Sequence, residues 1–186
     1  MTTTQKITTF LWFDSQAEEA AEFYTGLFPD SQIQETTRTT MDYPGGKEGD
    51  VITVAFTLSG RSFIAMNGGP GHPFTDAISL SIDCADQAEV DRYWDALSDG
   101  GEPIMCGWVK DRFGLCWQVT PRILPQLLAD PDPAKAKRVM EAMTAMIKAR
   151  RGRAESSGKR RRAMRQANLP SAAWDNRAHL DDPFKR

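Results

Sequence analysis

Three large apolar residues recur at an interval of 70 residues in this 186-residue chain, and this repeat limits the folds that the chain can adopt. Each copy places three large apolar residues on one side of a predicted helix, and each helix follows a predicted strand that ends near an aspartate. The repeated residues are Phe23, Tyr24 and Leu27 in the first copy and Tyr93, Trp94 and Leu97 in the second. A repeat of this length is typical of a duplicated supersecondary unit whose copies need each other to cover their apolar faces. The sequence therefore predicts two related modules.

In the first copy, the sequence predicts four strands and one helix. The predicted strands are "ITTFLWFD", "SQIQETTRTTM", "VITVAFTL" and "RSFIAM", which are rich in β-branched residues or alternate between apolar and polar ones. The helix lies between Glu18 and Phe28, with Asp14 or Ser15 as its predicted cap. The predicted order is β, α, β, β, β.

The second copy begins the same order but shows fewer clear strands. "AISLSID" predicts a strand, Ala85 to Leu97 predicts a helix closed by "GG", and "EPIMCGWV" and "GLCWQVT" predict a hairpin about "KDRF". Cys106 and Cys116 are placed symmetrically about that turn and could face each other across the hairpin, where we expect two packed thiols rather than the disulfide that is also geometrically possible.

A further helix and a basic segment follow the two modules. We expect a domain over residues 1–150, with modules at about 7–69 and 77–129 and a C-terminal helix at about 134–150, and then a basic extension over 151–186. Nine Lys or Arg and one acid lie between Lys148 and Arg165, so the rest of the chain carries about ten net negative charges. Neutralisation of phosphates by this tail is one hypothesis. No groove-reading helix or RNA-binding signature accompanies it, so we expect a solvated or intersubunit tail and no nucleic-acid partner.

We expect a cytoplasmic protein that does not span a membrane. No apolar run approaches the roughly 18 residues of a membrane span, and the start lacks the pattern of a signal peptide. The three cysteines form no CxxC pair, which argues against a disulfide framework and against a thiolate zinc site.

The segments "FLWFDSQAEEAAEFYTGLFPDS" and "DRFGLCWQV", at the opening and the close of the duplicated unit, resemble the vicinal oxygen chelate superfamily of glyoxalases, bleomycin-resistance proteins and extradiol dioxygenases. "MNGGP" at 66–70, "HPFT" at 72–75 and "CGWVKDRFGLCWQVTP" resemble its PhnB-like branch, also labelled 3-demethylubiquinone 3-methyltransferase-like. The resemblance covers Ile7 to about Ile147. It implies an α+β fold of two paired βαβββ modules that form a cupped, barrel-like sheet, the glyoxalase/bleomycin-resistance fold, and it implies a homodimer.

The resemblance also indicates where a metal would lie, because metal-using relatives place one His, Glu or Gln on the first and last strand of each module. Carried over by register, these places fall near Thr9, near Ile64 or Ala65, near Ala77 or Ser79, and at Gln118. Only Gln118 is a plausible ligand, and one neutral amide among hydroxyl and aliphatic groups lacks the charge that such a site needs. A shift of register would bring in Asp14, Asn67 or Asp83. We expect no metal and no cofactor.

Without a metal, the cavity of such a fold still predicts a site for a small aromatic or amphipathic ligand. Strand alternation would send rings and polar tips inward. The candidate ligand-binding residues are Trp12, Phe56, Asn67, Trp108, Trp117 and Gln118. The rings could equally be core residues, while buried amides of Asn67 and Gln118 would need a partner.

Enzymatic activity stays open at this point. His72, in the loop between the modules, is the candidate catalytic residue, as a base or an anion ligand, although it could simply bond the backbone of its loop. The alternative function is a metal-dependent, glyoxalase-like lyase or dioxygenase with Gln118 as a ligand. The connection "FDSQAEEA" carries no glycine, so it does not predict an S-adenosylmethionine site of the doubly wound kind.

Overall fold

Eight strands and four helices make up residues 6–149, the part of the chain that this computed structural model describes. They divide into two units, one ending at Phe74 and the other beginning at Thr75. The predicted basic extension, residues 151–186, lies outside the described residues. Within 6–149, every helix is too short or too polar for a bilayer crossing.

The first unit has the predicted order. Its elements are β1 (Thr9–Phe13), α1 (Ala17–Leu27), β2 (Gln32–Arg38), β3 (Val51–Leu58) and β4 (Arg61–Asn67). The sheet order is β1-β4-β3-β2, with β1 parallel to β4 and the other pairs antiparallel.

The second unit repeats this topology. Its elements are β5 (Leu80–Cys84), α2 (Gln87–Ser98), β6 (Glu102–Pro103), a 3₁₀ turn (Met105–Gly107), β7 (Trp108–Lys110), β8 (Cys116–Pro121), α3 (Leu124–Leu128) and α4 (Pro133–Ala145). The sheet order is β5-β8-β7-β6, and β5 is parallel to β8. Each unit therefore has the βαβββ order, and the α+β fold class predicted from the sequence is confirmed.

Each sheet has one face against its helix and one face turned away from it, which we call the helix face and the open face. In the first unit, Tyr24 of α1 stacks on Phe56 of β3 with ring centroids 6.4 Å apart, and Phe56 stacks on Phe63 of β4 at 5.5 Å. In the second unit, Cys84 and Trp117 lie on the helix face by register, and both are buried. Because successive strand residues alternate between faces, the register assigns every other position to the open face.

Helices α1 and α2 are capped differently at their N-termini. Neither Asp14 nor Ser15 caps α1, contrary to the prediction. The N-cap residue of α1, Gln16, makes no side-chain cap. Instead, Asn67 at the end of β4 reaches across, and its Oδ1 accepts a hydrogen bond from the backbone N–H of Ala17 at 2.8 Å.

In the second unit the position equivalent to Asn67 holds Pro121, because Pro121 pairs with the last residue of β5 as Asn67 pairs with the last residue of β1. A proline ring cannot cap a helix, and α2 carries its own cap. Asp86 accepts a hydrogen bond from the N–H of Glu89 at 2.9 Å, and the Glu89 carboxylate accepts one from the N–H of Ala85 at 2.8 Å.

The predicted hairpin in the second unit differs in its first strand. "EPIMCGWV" is split into β6 and β7 by the 3₁₀ turn, in which Cys106 and Gly107 have positive φ values of 62° and 80°. As a result Lys110, and not Cys106, pairs with Cys116. The prediction that the two thiols face each other across the hairpin was wrong.

The last helix is shorter than its periodicity predicts. α4 begins at Pro133, with the Asp132 carboxylate accepting a hydrogen bond from the N–H of Ala134, and ends at Ala145. Met146 has extended dihedral angles (φ −96°, ψ 155°), so the helix does not continue to about residue 150 as predicted.

Candidate ligand-binding site

The six predicted binding residues are shared between the two units. Trp12, Phe56 and Asn67 belong to the first, and Trp108, Trp117 and Gln118 belong to the second. The structure gives them different surroundings, which separate side chains used in packing from side chains available to a ligand.

Phe56 and Trp117 serve the cores of their units. Phe56 is 1% exposed and lies between Tyr24 and Phe63 on the helix face. Trp117 is 3% exposed and its indole N–H donates to Oδ2 of the buried Asp111 at 2.8 Å. These placements favour a packing role for both rings.

Asn67 is also committed to the fold. Its Oδ1 accepts from Ala17 N, and its Nδ2 donates to Val51 O at 2.9 Å, so both ends of the buried amide have protein partners. Its backbone carbonyl accepts a hydrogen bond from the Tyr43 hydroxyl at 2.6 Å. The side chain thus holds β3 and α1 in place and has no free group for a ligand.

Trp108 and Gln118 come together on the open face of the second sheet. They are register partners across β7 and β8, so their side chains leave the same face side by side. Gln118 Nε2 donates to Ser79 Oγ at 2.8 Å. No described residue donates to Gln118 Oε1, which is not enclosed. A half-buried ring beside a fixed, open acceptor is a place where a planar ligand with a hydrogen-bond donor can bind.

Neighbouring positions on this face carry an exposed hydroxyl and a buried thiol. Ser81 is exposed and is the register partner of Gln118 on the other side. Cys116 lies two residues before Gln118, is buried, and has its pKa raised, chiefly by burial. Burial likewise raises the pKa of Cys84 to about 12. Both thiols are protonated near neutral pH, which disfavours thiolate chemistry.

The first unit presents a second ring at one end of its sheet. Trp12, half-buried on the open face of β1, donates its indole N–H to Gly69 O at 2.9 Å, and its ring lies 4.5 Å from the exposed His72 ring at an interplanar angle of 55°. Gly68 permits this arrangement, since a Cβ at that position would clash with the indole. In this arrangement the His72 ring contacts the Trp12 indole.

The strand positions that would hold a metal carry few ligand atoms. The open-face residues are Phe10 and Trp12 on β1, Ser62, Ile64 and Met66 on β4, Ser81 and Asp83 on β5, and Cys116, Gln118 and Thr120 on β8. Within the described part of the chain, no three His, Cys, Asp or Glu side chains are grouped as a metal site would require. The chemistry of this set fits a neutral organic ligand better than a divalent cation.

A separate concavity lies at the other end of the first sheet. It has a volume of about 420 Å³ and is lined by Lys6, Ile7, Thr9, Arg61 and Ser62. The two cations are exposed, so no buried polar group fixes a ligand there, and none of the predicted binding residues reaches it.

The first strand–helix connection does not fit a nucleotide-type cofactor such as S-adenosylmethionine. Residues 14–16, Asp-Ser-Gln, contain no glycine that would let a ligand approach the backbone. The N–H of Ala17, the first residue of α1, already donates to Asn67 Oδ1.

The sequence did not predict the roles of two residues, Ser79 and Asp111, that hold side chains of this region in place. The resemblance indicated Ser79 only as a position where metal-using relatives carry a ligand. Ser79 lies two residues before Ser81, so strand alternation places it on the same face as Gln118, to which it is hydrogen-bonded. Asp111 gave no signal beyond its place in a turn, yet its Oδ1 accepts from the N–H groups of Phe113 and Leu115 and its Oδ2 holds Trp117.

Solved structures share this fold. The PhnB protein of Bacillus cereus is 40% identical, with a TM-score of 0.56, and the alignment covers 61% of this chain and 97% of that one. A protein of Pseudomonas aeruginosa is 20% identical with a TM-score of 0.51, covers 61% and 95% of the two chains, and supports the fold alone. The chain has no match among the curated proteins.

The family described as 3-demethylubiquinone-9 3-methyltransferase matches residues 5–120, which contain all of the first unit's strands and nearly all of the second sheet. This span is more than half of the chain, and the PhnB protein above shares the fold. The protein belongs to this PhnB-like family.

Proposed function

We propose that the protein binds a small aromatic or amphipathic molecule, without a metal, on the open face of its second sheet. The observation that carries the proposal is the pairing of Trp108 with Gln118, whose Nε2 is held by Ser79 and whose Oε1 accepts from no described residue. The ligand ring would stack on Trp108, and an N–H or O–H of the ligand would donate to Gln118 Oε1.

The chemistry of these two groups defines the ligand class. Stacking on an indole contributes about 0.5–1.5 kcal/mol beyond the burial of apolar area. A neutral hydrogen bond adds about 0.5–1.5 kcal/mol. Because Ser79 fixes the amide, Gln118 presents its carbonyl oxygen with little loss of rotamer freedom on binding. A planar ring with a donor substituent satisfies both groups, whereas an aliphatic acid satisfies neither.

A titration with benzamide and toluene tests this proposal. Both have a ring, and only benzamide has an N–H donor. The readout is the ¹⁵N–¹H resonance of the Trp108 indole, assigned with Trp108→Phe. We expect saturable binding of benzamide to the full chain, weakened roughly threefold to tenfold by Gln118→Leu, with toluene binding unaffected by that change.

The matched control is Thr120→Val, which alters the next residue of the same face of β8. Thr120 bonds to Ile82 O and lies outside the Trp108–Gln118 pair. The Thr120→Val substitution should leave benzamide binding unchanged. Binding that is indifferent to Gln118, or a Trp108 resonance that no ring compound moves, contradicts the proposal.

The metal-dependent alternative gives a different result. If Gln118 served a lyase or dioxygenase centre, Ni²⁺ or Zn²⁺ would bind stoichiometrically and Gln118→Ala would abolish that binding. The proposal predicts no stoichiometric site in a calorimetric titration, since one amide among hydroxyls and rings holds divalent cations poorly.

The wider relationships form part of the proposal. We place the PhnB-like family within the vicinal oxygen chelate superfamily, with a domain over residues 1–150, and this placement is supported by the duplicated βαβββ order. We also propose a homodimer, as the resemblance implies. Sedimentation equilibrium tests it, with twice the chain mass expected.

A cytoplasmic location completes the proposal. Cys84, Cys106 and Cys116 are all free, which suits a reducing compartment. Fractionation of cells that express the full chain tests the location, and recovery of the protein outside the cytoplasm would contradict it.

A further inference from the structure

The four residues that follow α4, Met146–Ala149, form a non-helical segment that we call the C-terminal strap. Met146 is 1% exposed and Ala149 is 0% exposed, and Lys148 between them is also buried. Three of the four strap residues are therefore buried, and Ile147 is half-buried.

The strap holds the 3₁₀ turn through backbone hydrogen bonds. Cys106 N donates to Met146 O and Gly107 N donates to Ile147 O, both at 2.9 Å. This turn needs external support, because Cys106 adopts a left-handed conformation that a residue with a Cβ disfavours. Gly107 is also sterically required, since a Cβ there would lie 2.9 Å from Val119 O.

Lys148 anchors the strap to α2. Its Nζ lies 2.8 Å from Oδ1 of both Asp91 and Asp95, which are one helical turn apart, and its side chain is 9% exposed. Gln87, one turn before Asp91, donates from Nε2 to Asp91 Oδ1 and to Ala149 O, both at 3.1 Å. A buried ammonium that lost these carboxylates would be left without charge compensation. The strap therefore has one strongly preferred position against α2.

The turn that the strap holds leads directly into Trp108. Trp108 is the first residue of β7, and its carbonyl accepts a hydrogen bond from Ile104 N at 2.7 Å, which closes the turn from the other side. A change in the 105–107 backbone must therefore move the start of β7 and the ring that projects from it.

We infer that the C-terminal strap sets the position of Trp108 in the binding face, with Lys148 as the positioning residue. The effect on ligand affinity rests on the function proposed above, whereas the mechanical link from Lys148 to Trp108 does not. Through this link, the state of the segment after α4 regulates the binding face from outside it.

The test compares Lys148→Met with Lys137→Met in the full chain. Methionine keeps the aliphatic stem of Lys148 and removes its charge. Lys137 is the control, since its ion pair with Glu141 spans 3.8 Å on an exposed part of α4. The measurements are amide hydrogen exchange at Cys106 and Gly107, the Trp108 indole resonance, and the Kd for benzamide.

We expect Lys148→Met to speed exchange at both amides by roughly tenfold, to shift the Trp108 resonance, and to raise the Kd by about threefold or more, while β8 amides keep their protection. Lys137→Met should change none of these. Asp95→Asn should act in the same direction but more weakly, because Asp91 still pairs with Lys148 and the Asp95 side chain is 72% exposed. This variant decides the matter if Lys148→Met does not fold.

Two results would overturn the inference: wild-type exchange at Cys106 and Gly107 in the folded Lys148 variant, or faster exchange with an unmoved Trp108 resonance. Failure of the wild-type protein to bind benzamide would instead count against the proposed function alone. The exchange rates and the indole resonance would still decide whether Lys148 positions Trp108.

Discussion

Among the polar side chains considered for the site, the decisive difference is what each one is bonded to. Asn67 has both ends of its amide bonded to backbone groups, and the Asp111 carboxylate accepts three N–H donors. Gln118 has one end fixed by Ser79 and the other open. The sequence predicted that Asn67 and Gln118 would need partners, but only the register shows which of the two remains available.

Replacement of Asn67 by alanine should destabilise the first unit. The change removes the acceptor for Ala17 N and the donor to Val51 O, so we expect the free energy of unfolding to fall by about 2–3 kcal/mol. Urea denaturation followed by circular dichroism measures it. The control is Gln16→Ala, because Gln16 occupies the N-cap position without a side-chain cap and should cost far less. Equal effects of the two substitutions would show that Asn67 does not cap α1.

The strands and helices show which local rules were readable from the sequence. The alternation of "VITVAFTL" and "RSFIAM" gave β3 and β4 nearly to the residue, because one face of each strand is buried against α1. The break between β6 and β7 was not readable, because it depends on a positive φ at Cys106 that two carbonyls of the distant strap support. Non-local backbone bonds leave no periodic signature.

Two glycines should respond in opposite directions to alanine. Gly26 lies within α1 with open space around its Cα, so Gly26→Ala should raise the free energy of unfolding by about 0.5–1 kcal/mol through helix propensity. Gly68→Ala should lower it by about 1–3 kcal/mol, because the new Cβ clashes with the Trp12 indole.

Thermal unfolding of both variants measures these changes, and the Trp12 indole resonance should move only in Gly68→Ala. Stabilisation of the protein by Gly68→Ala would contradict the packing described for the first unit.

On the scale of the whole molecule, the 70-residue repeat predicted the duplicated βαβββ order, because the same apolar pattern has to cover the same kind of sheet twice. The repeat says less about the site. Trp12 and Trp108, each half-buried on an open face, look the same in sequence as Phe56 and Trp117, which are packed in the cores. What separates rings used for packing from rings available to a ligand is the face of the sheet on which each ring lies. That face is known only when the positions of the bulges and turns are known.

Global stability should fall as the pH becomes alkaline. Burial raises the pKa of Cys84 from 9.0 to about 12. Below pH 9 the thiol is protonated in both the folded and the unfolded states, so its full contribution to the free energy of unfolding is present. As the pH rises from 9 toward 12, the unfolded chain ionises first and the contribution is lost. Burial also raises the pKa of Cys116 and of Tyr93, which act in the same direction.

Urea midpoints at pH 8 and at about pH 10 measure this loss. Cys84→Ala should show a smaller decrease between the two pH values than the wild type. An equal decrease in the two proteins would assign the alkaline sensitivity to other groups.

The central claim is that the open face of the second sheet offers a ring and an amide acceptor to an organic ligand. The most direct measurement is a crystal structure of the full chain grown with benzamide. We expect density for the ring of benzamide stacked on Trp108, with its amide nitrogen within hydrogen-bonding distance of Gln118 Oε1. Density for a cation held by Gln118 and several other protein atoms, or an empty face at saturating benzamide, would contradict it.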